Sequence, residues 1–395
     1  MKRENYFRGG IGFKEEVVEE FKGYYESKLV KKIKDSGGLY KVGNVTIHLA
    51  QEFGFCWGVD KAVSMAFEAR ERWKNETIWI TNEIIHNPLV NKNLKDKGIK
   101  FIELDENGEK DFSPIQKGEV VILPAFGASI EEIALLEKKG CPIVDTTCPW
   151  VSAVWNRVKH YEKREFTSLI HGKYKHEEAV ATSSRASKFL ILLNIEEAKW
   201  VSNFILNDGN SKEFMEKFGL SCSKDFDPKK DLVSVGLANQ TTMLSSESLE
   251  IAKLFEKTMM KKYGIENLND HFKSFDTICN ATQERQDAVL ELVKEDLDLM
   301  LVIGGFNSSN TTHLKEIGEL HNIPSYHIDC PERMLNSNEI EHKLLNGGTE
   351  RTENWIPEKE ILEIGVTSGA STPDNLVEEV IHRFLNLQKE LGVMS

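Results

Sequence analysis

Short apolar runs alternate with longer amphipathic runs along most of the chain. The apolar runs are rich in valine, isoleucine and leucine, which is typical of buried strands, and the amphipathic runs are typical of helices packed on one face. This alternation predicts βαβ units with mainly parallel sheets, and therefore an α/β fold. The predicted strands cover residues 44–49, 77–81, 119–125, 141–145, 166–172, 188–193, 231–238, 298–305 and 361–369.

Two near-identical tetrapeptides indicate that parts of the chain repeat. DTTC ends at Cys148, DTIC ends at Cys279, and a third cysteine, Cys56, lies in the stretch FGFCWGVD. Each cysteine follows a short apolar or aromatic stretch and precedes a helix-like run, so we predict three similar α/β units. The predicted divisions are an N-terminal arm with one helix (1–43), a first unit (44–145), a second unit (146–276), a third unit (277–385) and a C-terminal tail (386–395).

The composition narrows the class of protein. Of the 395 residues, 40% are hydrophobic and 29% are charged, as in ordinary globular proteins. The 50 basic and 63 acidic residues give a net charge of −13, which disfavours binding to nucleic-acid phosphates. No apolar run approaches the ~18 residues that span a bilayer, and the N-terminus lacks the apolar core of a secretory signal. We expect a cytoplasmic protein that binds neither nucleic acid nor membrane, or a plastid stromal one if a transit peptide has been removed.

The cysteine pattern points to metal binding rather than crosslinking. Six cysteines in a chain of this length do not form a disulfide scaffold, and the absence of a CxxC pair excludes zinc-ribbon and bacterial ferredoxin patterns. Cys56, Cys148 and Cys279, here called the motif cysteines, are either small buried residues at strand ends or the ligands of an iron–sulfur cluster with one iron open to a substrate. The shared Asp-Thr-x-Cys setting favours the cluster. The remaining cysteines lack that setting and are interpreted as structural: Cys141, Cys222 and Cys330.

Several predicted strands end in small polar loops, which is where open α/β sheets bind ligands. Backbone N–H groups and hydroxyls at the start of a helix suit an anion such as a diphosphate. Each candidate residue also has an ordinary interpretation as a surface group or helix N-cap. Glu178 is a candidate proton donor if burial raises its pKa, or a first-turn acid favoured by the helix dipole. The candidate anion-binding residues are His86, His176, Ser308, Ser309, Asn310 and Ser371.

Together these motifs resemble the 4-hydroxy-3-methylbut-2-enyl diphosphate reductase family, which catalyses the last step of the non-mevalonate isoprenoid pathway. The N-terminal arm and the AFGA sequence resemble its cyanobacterial and plastid-type branch. The resemblance extends from about residue 45 to about residue 385, and the order and number of the motifs make it specific. The matching stretches are FGFCWGVDKAV, NEIIHNPLVN, DTTCPWVSAVW, HGKYKHEEAVATSS, ANQTTM, DTICNATQERQDAV, GGFNSSNTTHL and GVTSGASTPD.

The resemblance implies a fold, a cofactor and a reaction. The three α/β units would have a pseudo-threefold, trefoil arrangement around one 4Fe-4S cluster, held by the motif cysteines and with one iron open to the substrate hydroxyl. The anion-binding candidates would hold the diphosphate, Thr241 would lie near the hydroxyl, and Glu178 would donate the proton. Asp60 and Gln240 lie in matching stretches without an assigned role. The implied reaction is the reductive dehydroxylation of (E)-4-hydroxy-3-methylbut-2-enyl diphosphate to isopentenyl and dimethylallyl diphosphate, with two electrons from an external ferredoxin or flavodoxin.

One position departs from the sequence pattern of the family. Many bacterial members have histidine where this chain has Phe126; a phenyl ring cannot donate a hydrogen bond to phosphate, so the predicted clamp retains His86 and His176 as its imidazoles.

Two other classes of protein fit the cysteine pattern. A quinolinate synthase type of enzyme also places three cysteines in repeated α/β units, but the His, Ser and Asn loops favour a diphosphate over a dicarboxylate. A non-enzymatic redox or iron sensor does not need these loops, and it more often carries a recognisable DNA-binding segment.

Overall fold

The computed structural model describes residues 5–106 and 109–390. All of the predicted strands are present, some shorter than predicted. The strands are β1 (Tyr6–Phe7), β2 (Leu39–Val42), β3 (Val45–Leu49), β4 (Ile78–Ile80), β5 (Ile99–Phe101), β6 (Val120–Leu123), β7 (Ile143–Asp145), β8 (Thr167–His171), β9 (Phe189–Leu192), β10 (Val235–Asn239), β11 (Phe272–Ser274), β12 (Leu299–Ile303), β13 (Ser325–Ile328), β14 (Glu339–Lys343), β15 (Thr349–Glu353) and β16 (Leu362–Ser368).

Helices connect most of the parallel strands. A short 3-10 turn over Pro331–Arg333 accompanies them. The helices are α1 (Lys14–Tyr25), α2 (Lys28–Asp35), α3 (Trp57–Arg72), α4 (Pro88–Asp96), α5 (Ile130–Lys139), α6 (Pro149–Glu162), α7 (Glu177–Ser183), α8 (Ile195–Asn207), α9 (Ser211–Phe218), α10 (Pro228–Asp231), α11 (Ser245–Tyr263), α12 (Leu268–His271), α13 (Asn280–Leu292), α14 (Ser309–Leu320) and α15 (Asp374–Glu390).

The described residues fall into two compact units. The first, here called the 112–279 unit, also includes residues 5–8, and the second, the 280–390 unit, also includes the described residues of 9–111. The strands of the described residues belong to three sheets of mainly parallel strands. The predicted α/β class with three α/β units is therefore confirmed, while the trefoil arrangement and the residue limits of the three units stay predictions.

The 112–279 unit contains a fully parallel sheet in the order β11-β10-β8-β9. Strand β7 also pairs in parallel with β6 and β1. Helices α8, α9 and α11 pack on the parallel sheet through a core that includes Phe214, Phe255 and Val235. Because the strands are parallel, their carboxyl ends lie along one edge, where open α/β sheets bind ligands.

The 280–390 unit contains a seven-stranded sheet in the order β15-β14-β13-β12-β16-β3-β2. Its central strands β13, β12, β16 and β3 are parallel, and the antiparallel strands β2, β14 and β15 flank them. Helices α2 and α15 cover one face through a core that includes Phe384, Ile364 and Trp355. Strand β3, the first strand of the predicted 44–145 unit, thus pairs with β16, and the β4–β5 pair lies in the same compact unit.

Three segments differ from the sequence-based expectation. The N-terminal arm has two helices instead of one, because Glu26 is extended and the Ser27 hydroxyl caps α2 by accepting from Val30 N at 2.9 Å. The polar stretch 195–232, where the sequence shows no clear alternation of apolar and amphipathic runs, contains α8, α9 and α10. Helix α15 continues through 386–390 of the predicted tail, and the rest of the tail and residues 1–4 of the arm lie outside the described residues.

Candidate active site

The candidate site residues follow the carboxyl ends of parallel strands. In the 112–279 unit, Glu178 follows β8, Thr241 follows β10, and Cys279 follows β11. In the 280–390 unit, Cys56 follows β3, Ser371 follows β16, and the Ser308–Asn310 segment follows β12. All the predicted diphosphate residues, together with Glu178 and Thr241, are buried although they are polar. Buried polar groups in such number are unusual unless they hydrogen-bond or bind something.

Helix caps determine where the site loops end. Ser129 caps α5 in a capping box with Glu132, which places the end of the AFGA loop at the helix start. Asn87 caps α4 directly after His86 and is followed by proline at the first helical position. Ser308 caps α14 by accepting from Thr311 N at 3.2 Å. The ordinary capping role predicted for Ser308 is therefore confirmed, and it is compatible with anion binding because both use the N-terminal N–H groups.

The three motif cysteines have the same backbone setting. Cys56 and Cys148 are the N-cap residues of α3 and α6, and α13 begins directly after Cys279. Each is partly exposed, and each backbone N–H donates to a carbonyl oxygen of a neighbouring loop. The distances are 3.1 Å from Cys56 N to Ala370 O, 3.0 Å from Cys148 N to Ala125 O, and 3.2 Å from Cys279 N to Thr241 O.

The repeated Asp-Thr-x-Cys sequence forms the same turn twice. Asp145 Oδ1 accepts from Thr147 N at 3.0 Å, and Asp276 Oδ1 accepts from Ile278 N at 3.1 Å. In both copies an aspartate side chain binds the backbone two residues on, which is an Asx-turn. The turn ends the strand and directs the chain into the helix that starts at the cysteine. The similarity of the two sequences therefore corresponds to a similarity of local structure.

The other cysteines are poor candidates for iron ligation. Burial raises the pKa of the Cys330 thiol to about 12, and it also raises the pKa values of the Cys141 and Cys222 thiols. Iron is bound by thiolate, and a raised pKa makes the thiolate form of these three groups harder to reach. This supports their interpretation as structural residues.

Glu178 and Thr241 form a closely bonded pair in the 112–279 unit. Glu178 is 1% exposed, and its two carboxyl oxygens contact Thr241 N at 2.6 Å and Thr241 Oγ1 at 3.0 Å. Burial raises the pKa of Glu178 to about 7, and the two hydrogen bonds from Thr241 limit this rise because they favour the ionised form. Since Thr241 O also accepts from Cys279 N, one residue connects the candidate proton donor to a motif cysteine.

His176 has a defined tautomer and an aromatic neighbour. Its Nδ1 accepts from Glu178 N at 3.1 Å, so in the neutral imidazole the proton is on Nε2. The Phe126 ring lies edge-on to this imidazole, with 5.5 Å between ring centroids. Position 126 therefore contacts one of the predicted diphosphate ligands even though its own side chain cannot donate to an anion.

Three of the candidate anion-binding residues are connected in the 280–390 unit. Ser371 Oγ donates to His86 O at 3.2 Å, and Asn310 Oδ1 accepts from Ala370 N at 2.9 Å. Among the described residues, the Asn310 Nδ2 group is buried without a hydrogen-bond partner, which is costly unless a ligand accepts from it. His86 Nδ1 contacts Glu83 Oε2 at 2.8 Å, which orients its ring. Ser309, at the first position of α14, is also buried.

Two supporting residues were not predicted from the sequence to have a role. Arg285, 3% exposed on α13, donates to Gly54 O at 2.7 Å and so holds the loop that leads to Cys56. Gln240 accepts from Lys173 N at 3.1 Å and donates to Thr242 Oγ1 at 2.9 Å, which braces the loops next to Thr241. Gln240 lies in a matching stretch, but nothing in the local pattern marks Arg285, because its partner is distant in sequence.

Comparison with known proteins decides the family. The profile of the family described as LytB protein matches residues 47–385. The chain belongs to the LytB family. No helix among residues 5–106 and 109–390 has both the length and the apolar character to cross a bilayer.

Several relatives with high identity carry the same enzyme name and align with nearly the whole of this chain. The protein named 4-hydroxy-3-methylbut-2-enyl diphosphate reductase in Crocosphaera subtropica is 57% identical, over 99% of this chain and 96% of the relative. The protein of that name in Thermosynechococcus vestitus is also 57% identical, over 98% of this chain and 95% of the relative. The protein of that name in Gloeobacter violaceus is 55% identical, over 98% and 94%. These organisms agree with the predicted cyanobacterial branch.

Two solved structures share the fold. One is (E)-4-hydroxy-3-methyl-but-2-enyl diphosphate reductase, the terminal enzyme of the non-mevalonate pathway, with a TM-score of 0.51 and 26% identity over 86% of this chain and 99% of that chain. The other is the E-1-hydroxy-2-methyl-but-2-enyl-4-diphosphate reductase from Plasmodium falciparum, with a TM-score of 0.61 and 23% identity over 88% and 89%. The predicted α/β fold of this chain thus agrees with the fold of two solved reductase structures.

Proposed function

We propose that this chain is an oxidoreductase that converts (E)-4-hydroxy-3-methylbut-2-enyl diphosphate to isopentenyl diphosphate and dimethylallyl diphosphate, the last step of the non-mevalonate pathway. Membership of the LytB family and the names of its relatives support the substrate and the reaction. The observation that carries the proposal is the series of contacts from the buried Glu178 carboxyl through Thr241 to Cys279. It joins a buried carboxyl with a pKa of about 7 to the backbone of a candidate cluster ligand; a reductive dehydroxylation needs such an acid to protonate the departing hydroxyl.

Enzymes of the LytB family use an iron–sulfur cluster. We propose that in this chain the cluster is of the 4Fe-4S type and that the three motif cysteines hold it. The donor chemistry fits, because soft thiolates suit such clusters and all three cysteines share one backbone setting at a helix start. When bound, the cluster supplies single electrons and a Lewis-acidic iron.

The diphosphate is bound by donors from the carboxyl-end loops. His176 offers its Nε2–H, because its Nδ1 is occupied by Glu178 N. Asn310 offers the buried Nδ2–H group described above, and the Ser308 segment offers N–H groups at the start of α14. Hydrogen bonds from such groups to a charged phosphate are stronger than those between neutral partners. His86, Ser309 and Ser371 complete the proposed set.

Glu178 supplies the proton that lets the hydroxyl group leave as water. In the ionised state Glu178 Oε1 accepts from Thr241 N and Oε2 accepts from Thr241 Oγ1. In the neutral acid with its proton on Oε2, the second contact reverses. In this state Glu178 donates to the threonine hydroxyl, whose own hydrogen is then directed to the next acceptor. Thr241 can thus relay the proton from the buried acid to the substrate oxygen.

The direct test is an anaerobic assay of the purified holoenzyme. Iron and sulfide content and the visible spectrum are measured before and after addition of the allylic diphosphate, and turnover is followed with a reduced dye. We expect a spectral change with the diphosphate and formation of both isoprenoid diphosphates. A spectrum that responds to a dicarboxylate instead would favour the quinolinate synthase type, and absence of iron would refute the cluster. In the cell, we propose a cytoplasmic ferredoxin or flavodoxin as the electron donor.

A further inference from the structure

A large aromatic side chain is exposed directly beside one motif cysteine. Trp57 is the first residue of α3, follows Cys56 in the chain, and is 64% exposed. Tryptophan is among the residues that contribute most to protein–protein binding when it lies at an interface. One peptide bond separates this exposed ring from a proposed cluster ligand, so a partner in contact with Trp57 is brought close to the redox centre.

Two lysines lie over aromatic rings of the same segment. Lys61, one turn along α3, places its Nζ 5.7 Å from the centroid of the Trp57 ring. Lys34 places its Nζ 4.0 Å from the centroid of Phe53, and its charge is partly offset by Asp374 at 3.5 Å. Phe53 is buried, so Trp57 supplies the exposed ring and the two lysines supply cations near the loop that carries Cys56. Such a combination suits a partner with an acidic and partly apolar contact surface.

We propose that Trp57 and Lys61 form the docking surface for the reduced electron carrier, a small acidic iron–sulfur or flavin protein. This rests on the proposed function. The carrier would give up one electron at each encounter, so two encounters would supply the two electrons that the dehydroxylation consumes, and the motif cysteines would hold the cluster that accepts them. Complexes of this kind bury little surface, so one aromatic contact and a few charges are a sufficient site.

The net charge of the chain also bears on where an acidic carrier can approach. With a net charge of −13, the protein repels an acidic carrier from much of its surface. A local cation beside an exposed ring therefore favours one approach, because electrostatics mainly determines the orientation and the rate of encounter. The approach that it favours is the one that brings the carrier to the Cys56 loop.

The test compares a protein donor with a small dye in the holoenzyme. Trp57→Leu removes the ring, and Lys61→Glu reverses the charge. The matched control, Lys212→Glu, makes the same charge change at a lysine whose side chain is 84% exposed on α9 of the 112–279 unit. We expect each docking variant to lower kcat/KM for reduced ferredoxin by about tenfold or more, with the loss in Lys61→Glu shrinking at high salt. Rates with reduced methyl viologen, iron content and the control variant should remain at parental values.

The outcomes separate the docking surface from the proposed reaction. Parental ferredoxin kinetics in both Trp57→Leu and Lys61→Glu would overturn the docking surface, provided that the parent enzyme turns over with the dye. An equal loss with dye and ferredoxin would also overturn it, because the substitutions would then act on the cluster itself. If the parent enzyme fails to reduce the allylic diphosphate even with the dye, the proposed function is what fails.

Discussion

The Glu178→Gln substitution tests the acid in the proposed mechanism. Burial raises the pKa of Glu178 from its ordinary 4.5 to about 7, so ionising it inside the protein costs about 3 kcal/mol more than in water. At pH 7 about half of the side chains hold a proton, compared with about 0.3% for a carboxyl of ordinary pKa. The buried site thus increases the supply of the acid form by more than a hundredfold at neutral pH.

Glutamine retains the shape of the site but has no proton to give. Its Oε1 can accept from Thr241 N, and its Nε2 can donate to Thr241 Oγ1, so both contacts of the parent are replaced. General acids typically contribute a factor of about 10²–10⁴ to the rate. We expect turnover in the anaerobic dye assay to fall by that factor, with iron content and visible absorption unchanged. In the parent enzyme, turnover should decline as the pH rises through 7.

The same substitution has an opposite effect on stability. A carboxyl whose folded pKa is raised contributes stability that is present below pH 4.5 and is lost as the pH rises through about 7. Glutamine does not titrate, so between pH 4.5 and pH 8 the variant should gain up to about 3 kcal/mol in free energy of unfolding relative to the parent. Unfolding of the two holoenzymes by denaturant at both pH values measures this difference.

Glu196→Gln provides the matched control. Glu196 is also a first-turn acid, on α8 of the same unit, but its side chain is 74% exposed and pairs with Lys199 at 2.7 Å. It should turn over at the parental rate. If Glu178→Gln turns over as fast as the parent, Glu178 is not the proton source. Parallel stability profiles for parent and variant would show that the carboxyl is not held with a raised pKa.

Three further predictions concern the cluster, the clamp and a close backbone contact. Serine in place of any one motif cysteine should deplete bound iron, whereas Cys222→Ser should not; equal iron in all four variants would contradict the ligand assignment. Phe126→His should tighten substrate binding, measured by titration of the spectrum, because it adds an imidazole donor to the clamp; unchanged affinity would place position 126 outside it. Gly305→Ala should lower the free energy of unfolding by about 1–3 kcal/mol and weaken substrate binding, because its Cβ would clash with the backbone of His86. Gly9→Ala, where the Cβ meets no atom within 4 Å, is its control. Equal losses of stability in the Gly305 and Gly9 variants would refute the proposed clash with His86.

Local pattern was sufficient for the nine predicted strands and for the repeated turn, but it did not predict β1, β2, β5, β11, β13, β14 and β15. The apolar runs became strands because a strand is recognised by properties of consecutive residues. The Asp-Thr-x-Cys turn depends on an aspartate that binds the backbone only two residues away, so its two copies formed alike. The second helix of the arm was missed, since its start depends on one capping serine, Ser27, between two polar runs.

The electrostatics of the site was decided by tertiary structure. The sequence by itself determined that Glu178 stands at the start of a helix, but its pKa depends on burial and on Thr241, which is distant in the chain. The support of the Cys56 loop by Arg285 likewise joins residues far apart in sequence. Sequence determines which groups are present and how consecutive residues fold; desolvation and pairing between distant groups arise only when the chain has packed, because both depend on which atoms replace water around each group.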